Sequence, residues 1–184
     1  MTILTGVIYP LLMTGIAQLS YPSKANGSLI IRDGKIIGSE LIGQKFDSSI
    51  YFWSRPSATG YGAVPSGASN YGPTSDTLKK QKIIRSLYFA EKNDVMNPDA
   101  IPLEMIFASG SGLDPDISGK AALLQVDRIV RARNFSDSKK ADLVKIIGEI
   151  TKKPQFLVLG EGRINVLNLN LALDNLDKNN LNNK

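Results

Sequence analysis

No charged side chain precedes Lys24, and from residue 3 to residue 19 eleven of seventeen positions are apolar. The interruptions are Thr5, Gly6, Pro10, Thr14, Gly15 and Gln18, so no face of this segment carries a charge as the outer face of a core helix would. About twenty helical residues at about 1.5 Å each span a hydrocarbon core of roughly 30 Å. Residues 1–22 therefore predict a single membrane helix, with Tyr21 at the interface and Pro22 as its stop. A secretory signal would carry a basic start and a small-residue cleavage site, and the pattern offers neither. Lys24, Arg32 and Lys35 follow the segment, which by the distribution of positive charge alone would favour a cytoplasmic domain.

The period then changes. Residues 28–32 and 35–38 read as strands around Asp33 and Gly34, a two-residue hairpin signal. Residues 50–53 are another short strand candidate. Residues 54–75 hold twelve Gly, Pro or Ser and one charge, Arg55. Loops of that length without secondary structure are commonly functional, and Tyr61, Asn70 and Tyr71 suggest ordered contacts. Residues 77–93 predict an amphipathic helix capped by Ser75 or Asp76, with Leu78, Ile83, Ile84, Leu87 and Tyr88 inward. Residues 103–108 read as a buried strand and 118–133 as a second helix. Ser136 caps a third, with Leu143, Ile146, Ile147 and Ile150 as its stripe and Pro154 after it. A last strand over 163–167, a short helix over 169–176 and a polar tail over 179–184 complete the pattern. The expectation is an α+β soluble domain, residues 23–178, preceded by a single N-terminal transmembrane helix.

Composition removes several chemistries. The 184 residues include no histidine and no cysteine. That excludes Ser-His-Asp and Cys-His machinery, disulfides and thiolate metal sites. No metal site and no catalytic residue is expected. The net charge of +5 is concentrated between Lys120 and Lys153, where nine basic residues face four acidic ones. A solvated helical surface accounts for this better than nucleic acid, because no arginine-rich or aromatic–basic cluster accompanies it.

The turn Ser109, Gly110, Ser111, Gly112 lies between a predicted strand and a predicted helix, where phosphate loops sit. It fits neither a Walker A sequence, since Asp114 and Ala121 stand at key places around Gly119 and Lys120, nor a nucleophile elbow. Gln125 and Arg128 fall on one side of the following helix and are candidates either to bind phosphate or carboxylate or to pin the turn itself. The acids Asp114 and Asp116, and Asp174 and Asp177, read as caps and solvated charges.

Taken in order, the fragments resemble one family over nearly the whole chain. They are residues 9–12 and 25–29, then Gly38 with 41–44, then Tyr51 with 55–59, Ser69, Asn70, Gly72 and Pro73. Residues 108–115 follow, with Gln125, Arg128, Arg133 and Asn134, and finally 165–168 with 171–174. The resemblance is to the C subunit of the high-affinity potassium-transporting P-type ATPase, the KdpC family. It implies a non-catalytic, single-pass subunit of the bacterial cytoplasmic (inner) membrane with an extracytoplasmic soluble domain. The implied partners are a potassium-translocating subunit, an ATP-hydrolysing subunit, a small single-span subunit and the lipid bilayer. The implied role is to support assembly and to act as a catalytic chaperone that raises the ATP affinity of the hydrolysing subunit. In that role ATP or a partner would meet Ser109, Gly110, Ser111, Gly112, Gln125 and Arg128, with no cofactor tightly bound. Arg55, Pro56, Ser57, Ser69 and Asn70 would form a partner-docking loop. The alternative is a free-standing membrane-anchored binding module of the envelope.

Overall fold

The computed structural model describes residues 1–156 and 158–178. The chain divides into two units, one spanning Met1–Ile42 and the other beginning at Gly43; the predicted tail over 179–184 lies outside the described residues.

Pro10 shapes the first unit. A proline inside a helix has no N–H to donate and its ring crowds the carbonyl four residues back. The turn before it, Leu4–Ile8, widens into a π-helix, with Tyr9 N–H donating to the Leu4 carbonyl. Helix α1, Tyr9–Ser20, follows with Pro10 in its first turn. The helix predicted to run through residue 22 is continuous from residue 2 with this π-helical stretch inside it, and it ends at Ser20. Among the described residues no helix is long and apolar enough to cross a membrane. A short helix α2, Pro22–Ala25, comes next, and a reciprocal amide pair joins it to α1: Gln18 Nε2 donates to Asn26 Oδ1 at 3.1 Å and Asn26 Nδ2 to Gln18 Oε1 at 3.3 Å. Strands β1, Leu29–Arg32, and β2, Lys35–Ser39, form the expected hairpin. Asp33 and Gly34 have φ of 52° and 74°, the left-handed pair that a two-residue turn requires.

The second unit is an α+β fold in which helices predominate. Helix α3 is Asp76–Asn93, capped by Ser75, whose hydroxyl accepts from Leu78 N–H. Helices α4, Gly119–Leu123, and α5, Val126–Ala132, precede α6, Asp137–Ile150, and α7, Val166–Lys178. The only sheet in this unit among the described residues pairs β3, Asp116–Ile117, with β4, Ile164–Asn165, antiparallel. Phe52, Ile129, Leu143, Ile164, Leu169 and Leu173 are the fully enclosed apolar centre where α5, α6 and α7 meet.

Helix α6 and its Ser136 cap are as predicted, with Leu143 and Ile147 buried. Five other expectations give way to tertiary structure. Residues 50–53 form no strand: Phe52 and Trp53 N–H donate to the side-chain amides of Asn170 and Gln125, Tyr51 N–H donates to the Ser48 carbonyl, and the Ile50 carbonyl accepts from Arg133. Residues 103–108 are no strand either; Leu103–Met105 is a 3₁₀ turn. The helix expected over 118–133 is two, with Gln125 starting the second as the acceptor for Ile129 N–H at 3.2 Å. The final strand is two residues long and passes directly into α7, which begins three residues earlier than expected. Helix α3 is rotated: Ser86, Phe89, Ala90 and Asn93 face the core, while Ile83, Ile84, Leu87 and Tyr88 face outward. Phe89 packs edge-on to Trp53 at 6.3 Å, and Asn93 supplies an acceptor that a buried arginine needs. Those two requirements outweigh the larger apolar stripe.

Candidate functional site: a buried amide–guanidinium network under a Gly-Ser turn

Arg128 is enclosed in the second unit. Its Nε donates to Asn93 Oδ1 at 2.9 Å, Nη1 to the Ser49 and Ser48 carbonyls at 2.6 and 3.2 Å, and Nη2 to Gln125 Oε1 at 2.8 Å. The guanidinium carbon lies 4.1 Å from the centre of the Trp53 ring, whose outer side stacks on Tyr88. No carboxylate pairs with it among the described residues, so amide and carbonyl dipoles carry the charge. Burial pulls its pKa down to about 10, which leaves it a cation at neutral pH.

Gln125 is 0% exposed. Its Oε1 accepts from both Arg128 and the Trp53 N–H, the latter at 2.7 Å, and its Nε2 donates to the Ala121 carbonyl at 3.2 Å. One residue back, Asn170 grips Phe52 twice: Phe52 N–H donates to Oδ1 at 2.8 Å and Nδ2 donates to the Phe52 carbonyl at 3.0 Å. Two side-chain amides thus stand in for the neighbouring strand that residues 52–53 lack. The Oε1 and Nε2 atoms of Gln125 both have partners inside the protein.

The backbone held in this way continues into the long loop and onto the Gly-Ser turn. Ser109 N–H donates to the Pro56 carbonyl at 3.2 Å, and Gly67 N–H to the Ser111 carbonyl at 2.9 Å. Gly112 has φ of 70°, and a Cβ there would lie 2.7 Å from Thr59 Oγ1 and 3.0 Å from the Gly67 carbonyl oxygen. Ser57 Oγ accepts from Thr59 and Tyr61 N–H, closing the first bend of the loop. Arg55 pairs with Asp114 at 2.5 Å and so ties the loop's start to the turn's end, while its Nε is buried without a hydrogen-bond partner among the described residues. The structure therefore brings Arg55, Pro56 and Ser57 together with Ser109, Gly110, Ser111 and Gly112. Ser69 and Asn70 lie farther along the loop, without a hydrogen bond to the turn among the described residues; Asn70 is exposed with φ of 51°. Among the described residues Gln125 and Arg128 make no hydrogen bond to the turn, and Gln125 holds Trp53, two residues before Arg55.

A family profile described as "KdpC: K+-transporting ATPase, c chain" matches residues 1–175. The chain belongs to the KdpC family. Relatives named potassium-transporting ATPase KdpC subunit are 51% identical over 179 residues in Methylococcus capsulatus, covering 95% of this chain and 92% of the relative. The one in Gemmatimonas aurantiaca is 48% identical over 182 residues, covering 95% and 86%. The one in Burkholderia mallei is 48% identical over 176 residues, covering 92% and 88%.

Several residues that carried the KdpC resemblance turn out to have internal partners. Arg133 donates to the Ile50 carbonyl at 2.8 Å and pairs with Asp174 at 2.8 Å and Asp177 at 3.3 Å, and Lys139 also reaches Asp177. The acids read from sequence as solvated are thus a clasp linking α5, α6 and α7. Trp53, Asn93 and Asn170 were not singled out from the sequence. A signal existed for Asn170, which shares the inward stripe of α7 with Leu169 and Leu173. Among the described residues no group of three or more acidic side chains is placed to hold a metal ion.

Asp116 offers a pH test. Burial first, and then the neighbouring Asp114, raise its pKa above 3.8, against the pull of Arg163 at 3.1 Å. A carboxyl with a raised folded pKa contributes stability that is complete below the unfolded value and is lost as pH rises through the folded one. Asp116→Asn is therefore expected to gain more stability relative to the parent at pH 7 than at pH 3, read from paired thermal melts. Equal differences at both pH values would contradict the assignment.

Proposed function

We propose that the chain is a non-catalytic accessory subunit of a potassium-transporting ATPase complex, which supports assembly by presenting a rigidly seated loop to the ATP-hydrolysing or potassium-translocating subunits. The observation that carries this is the enclosure of Gln125: its polar atoms hold Trp53 and Arg128, and through them the loop that begins at Ser54. The outer part of that loop is open, with Val64 93% exposed and Asn70 and Tyr71 also exposed. Raised ATP affinity in the hydrolysing subunit then follows from contact between subunits, not from a nucleotide pocket in this chain.

The N-terminal segment supports placement in the bacterial cytoplasmic membrane; a larger unit outside the cytoplasm is what the KdpC resemblance implies, against the pull of Lys24, Arg32 and Lys35. None of its residues from the π-turn through α1 is buried or charged. The Thr5 and Thr14 hydroxyls are satisfied within the helix by the Met1 and Pro10 carbonyls. Nothing lies within 4 Å of a Cβ built at Gly6 or Gly15, which leaves room for a partner helix to approach closely.

The test is Gln125→Ala in the full chain co-expressed with the other subunits. The expected result is a several-fold loss of recovered complex, with the KM for ATP unchanged in the fraction that assembles. A tenfold rise in that KM with assembly intact would overturn the reading in favour of direct nucleotide contact.

A further inference from the structure

The chain enters the second unit at Gly43, and it does so against the end of the Gly-Ser turn. Gly43 is buried, and its N–H donates to the Leu113 carbonyl at 2.7 Å. A Cβ built there would lie 2.6 Å from the Asp114 carbonyl oxygen and 3.0 Å from that of Leu113. Both are backbone atoms that cannot swing aside, so the approach requires glycine. The next residue is held as well: Ser54 Oγ, on a buried side chain, donates to the Gln44 carbonyl at 2.8 Å.

The same turn seats the long loop. The Ser111 carbonyl accepts from Gly67 N–H, and Ser111 Oγ accepts from Leu113 N–H at 3.0 Å. Between them Gly112 is left-handed and crowded by Thr59 and Gly67. The acceptor for Gly43 and the acceptor for Gly67 are therefore two residues apart on a stretch of backbone with no slack. On the other side of the entry, Ser39 closes β2: its Oγ donates to the Gly27 carbonyl at 2.7 Å and accepts from Leu41 N–H at 3.0 Å. Only residues 40–42 separate Ser39 from Gly43.

We propose that Gly43 is a positioning residue for the docking loop, acting through the Gly-Ser turn. The turn makes the entry of the chain from the N-terminal unit and the seating of residues 54–75 one coupled event. A partner that shifts the loop loosens the entry at Gly43, and displacement of the entry unseats the loop, because such coupling acts in both directions. This rests on the accessory-subunit reading, in which the loop is presented to the pump. It adds a device that makes the loop's seating depend on how the N-terminal segment is held.

The sequence has no cysteine, so the full chain can carry one spin label, at Ser66→Cys in the loop or at Ser138→Cys in α6, both exposed positions. In detergent, Gly43→Ala is expected to raise the mobile fraction of the label at 66 by about threefold or more, while the label at 138 keeps its spectrum. In the reverse direction, Gly112→Ala should speed tryptic cleavage after Lys45 by about threefold or more, and Gly110→Ala should not. An unchanged spectrum at 66 in folded Gly43→Ala would overturn the proposal. Equal loosening at 66 and 138 would overturn it too, since that marks a general loss of stability. If Gly43→Ala does not accumulate, cleavage after Lys45 in Gly112→Ala decides alone. None of these readouts involves the pump. Failure of the unmodified chain to co-purify with pump subunits would overturn the accessory-subunit reading separately and leave the coupling itself intact.

Discussion

Arg128→Met is expected to lower the melting temperature of the full chain by roughly 8–16 °C, through a loss of about 4 kcal/mol. Methionine fills much of the same volume, so the effect isolates the guanidinium. Its removal leaves the Ser48 and Ser49 carbonyls and Asn93 Oδ1 facing an apolar side chain in a closed site. A buried acceptor without a donor costs about 1–3 kcal/mol. The Trp53 stack loses its cation as well. Arg128→Lys should recover only part of the loss, because one ammonium cannot reach acceptors spread around a planar fork. Thermal melts of the three proteins in the same detergent decide the matter. A drop for the methionine variant of less than about 3 °C would mean that the site admits water and that the network is not structural.

Gly112→Ala is the second large effect, and Gly110→Ala is its control. At Gly112 the backbone is left-handed, which costs a residue with a Cβ about 1 kcal/mol. The new methyl would also lie 2.7 Å from Thr59 Oγ1 and 3.0 Å from the Gly67 carbonyl oxygen. The hydroxyl can rotate away, but the carbonyl belongs to the loop backbone, so the loop must lift. A total loss of about 2–3 kcal/mol is expected. Limited proteolysis should then cut within residues 54–75 faster by tenfold or more, and recovery of the complex should fall with it. A Cβ at Gly110 meets nothing within 4 Å, so Gly110→Ala should leave cleavage and assembly unchanged. Equal behaviour of the two variants would sink the claim that the turn is the seat of the loop.

The two glycines show how much of the site was legible beforehand. The turn stands out in the sequence as a glycine-rich stretch, and so does the loop, yet nothing in either composition pairs them. The pairing depends on hydrogen bonds from Ser109 to Pro56 and from Gly67 to Ser111, between residues more than forty positions apart. Gln125 and Arg128 were visible as a polar pair on one helix side, with binding a ligand and pinning the backbone both open. Burial supports the second reading, the one proposed above: in a closed site Gln125 Oε1 is already shared by Trp53 N–H and Arg128 Nη2.

Local chemistry was enough for the hairpin at Asp33 and Gly34, because a left-handed turn pair is a property of the two residues themselves. It was enough for α6 with its Ser136 cap, for the lack of histidine and cysteine chemistry, and for the family, whose fragments run in order along the chain. Tertiary structure decided which face of α3 turns inward, where the second helix breaks, and that residues 52–53 find hydrogen-bond partners in Asn170 and Gln125 instead of a strand. The physical reason is the same in each case. Apolar periodicity ranks faces by area buried, whereas one enclosed cation must have its acceptors, and placing Asn93, Gln125 and the 48–49 carbonyls around Arg128 outweighs the burial of Ile83, Ile84 and Leu87.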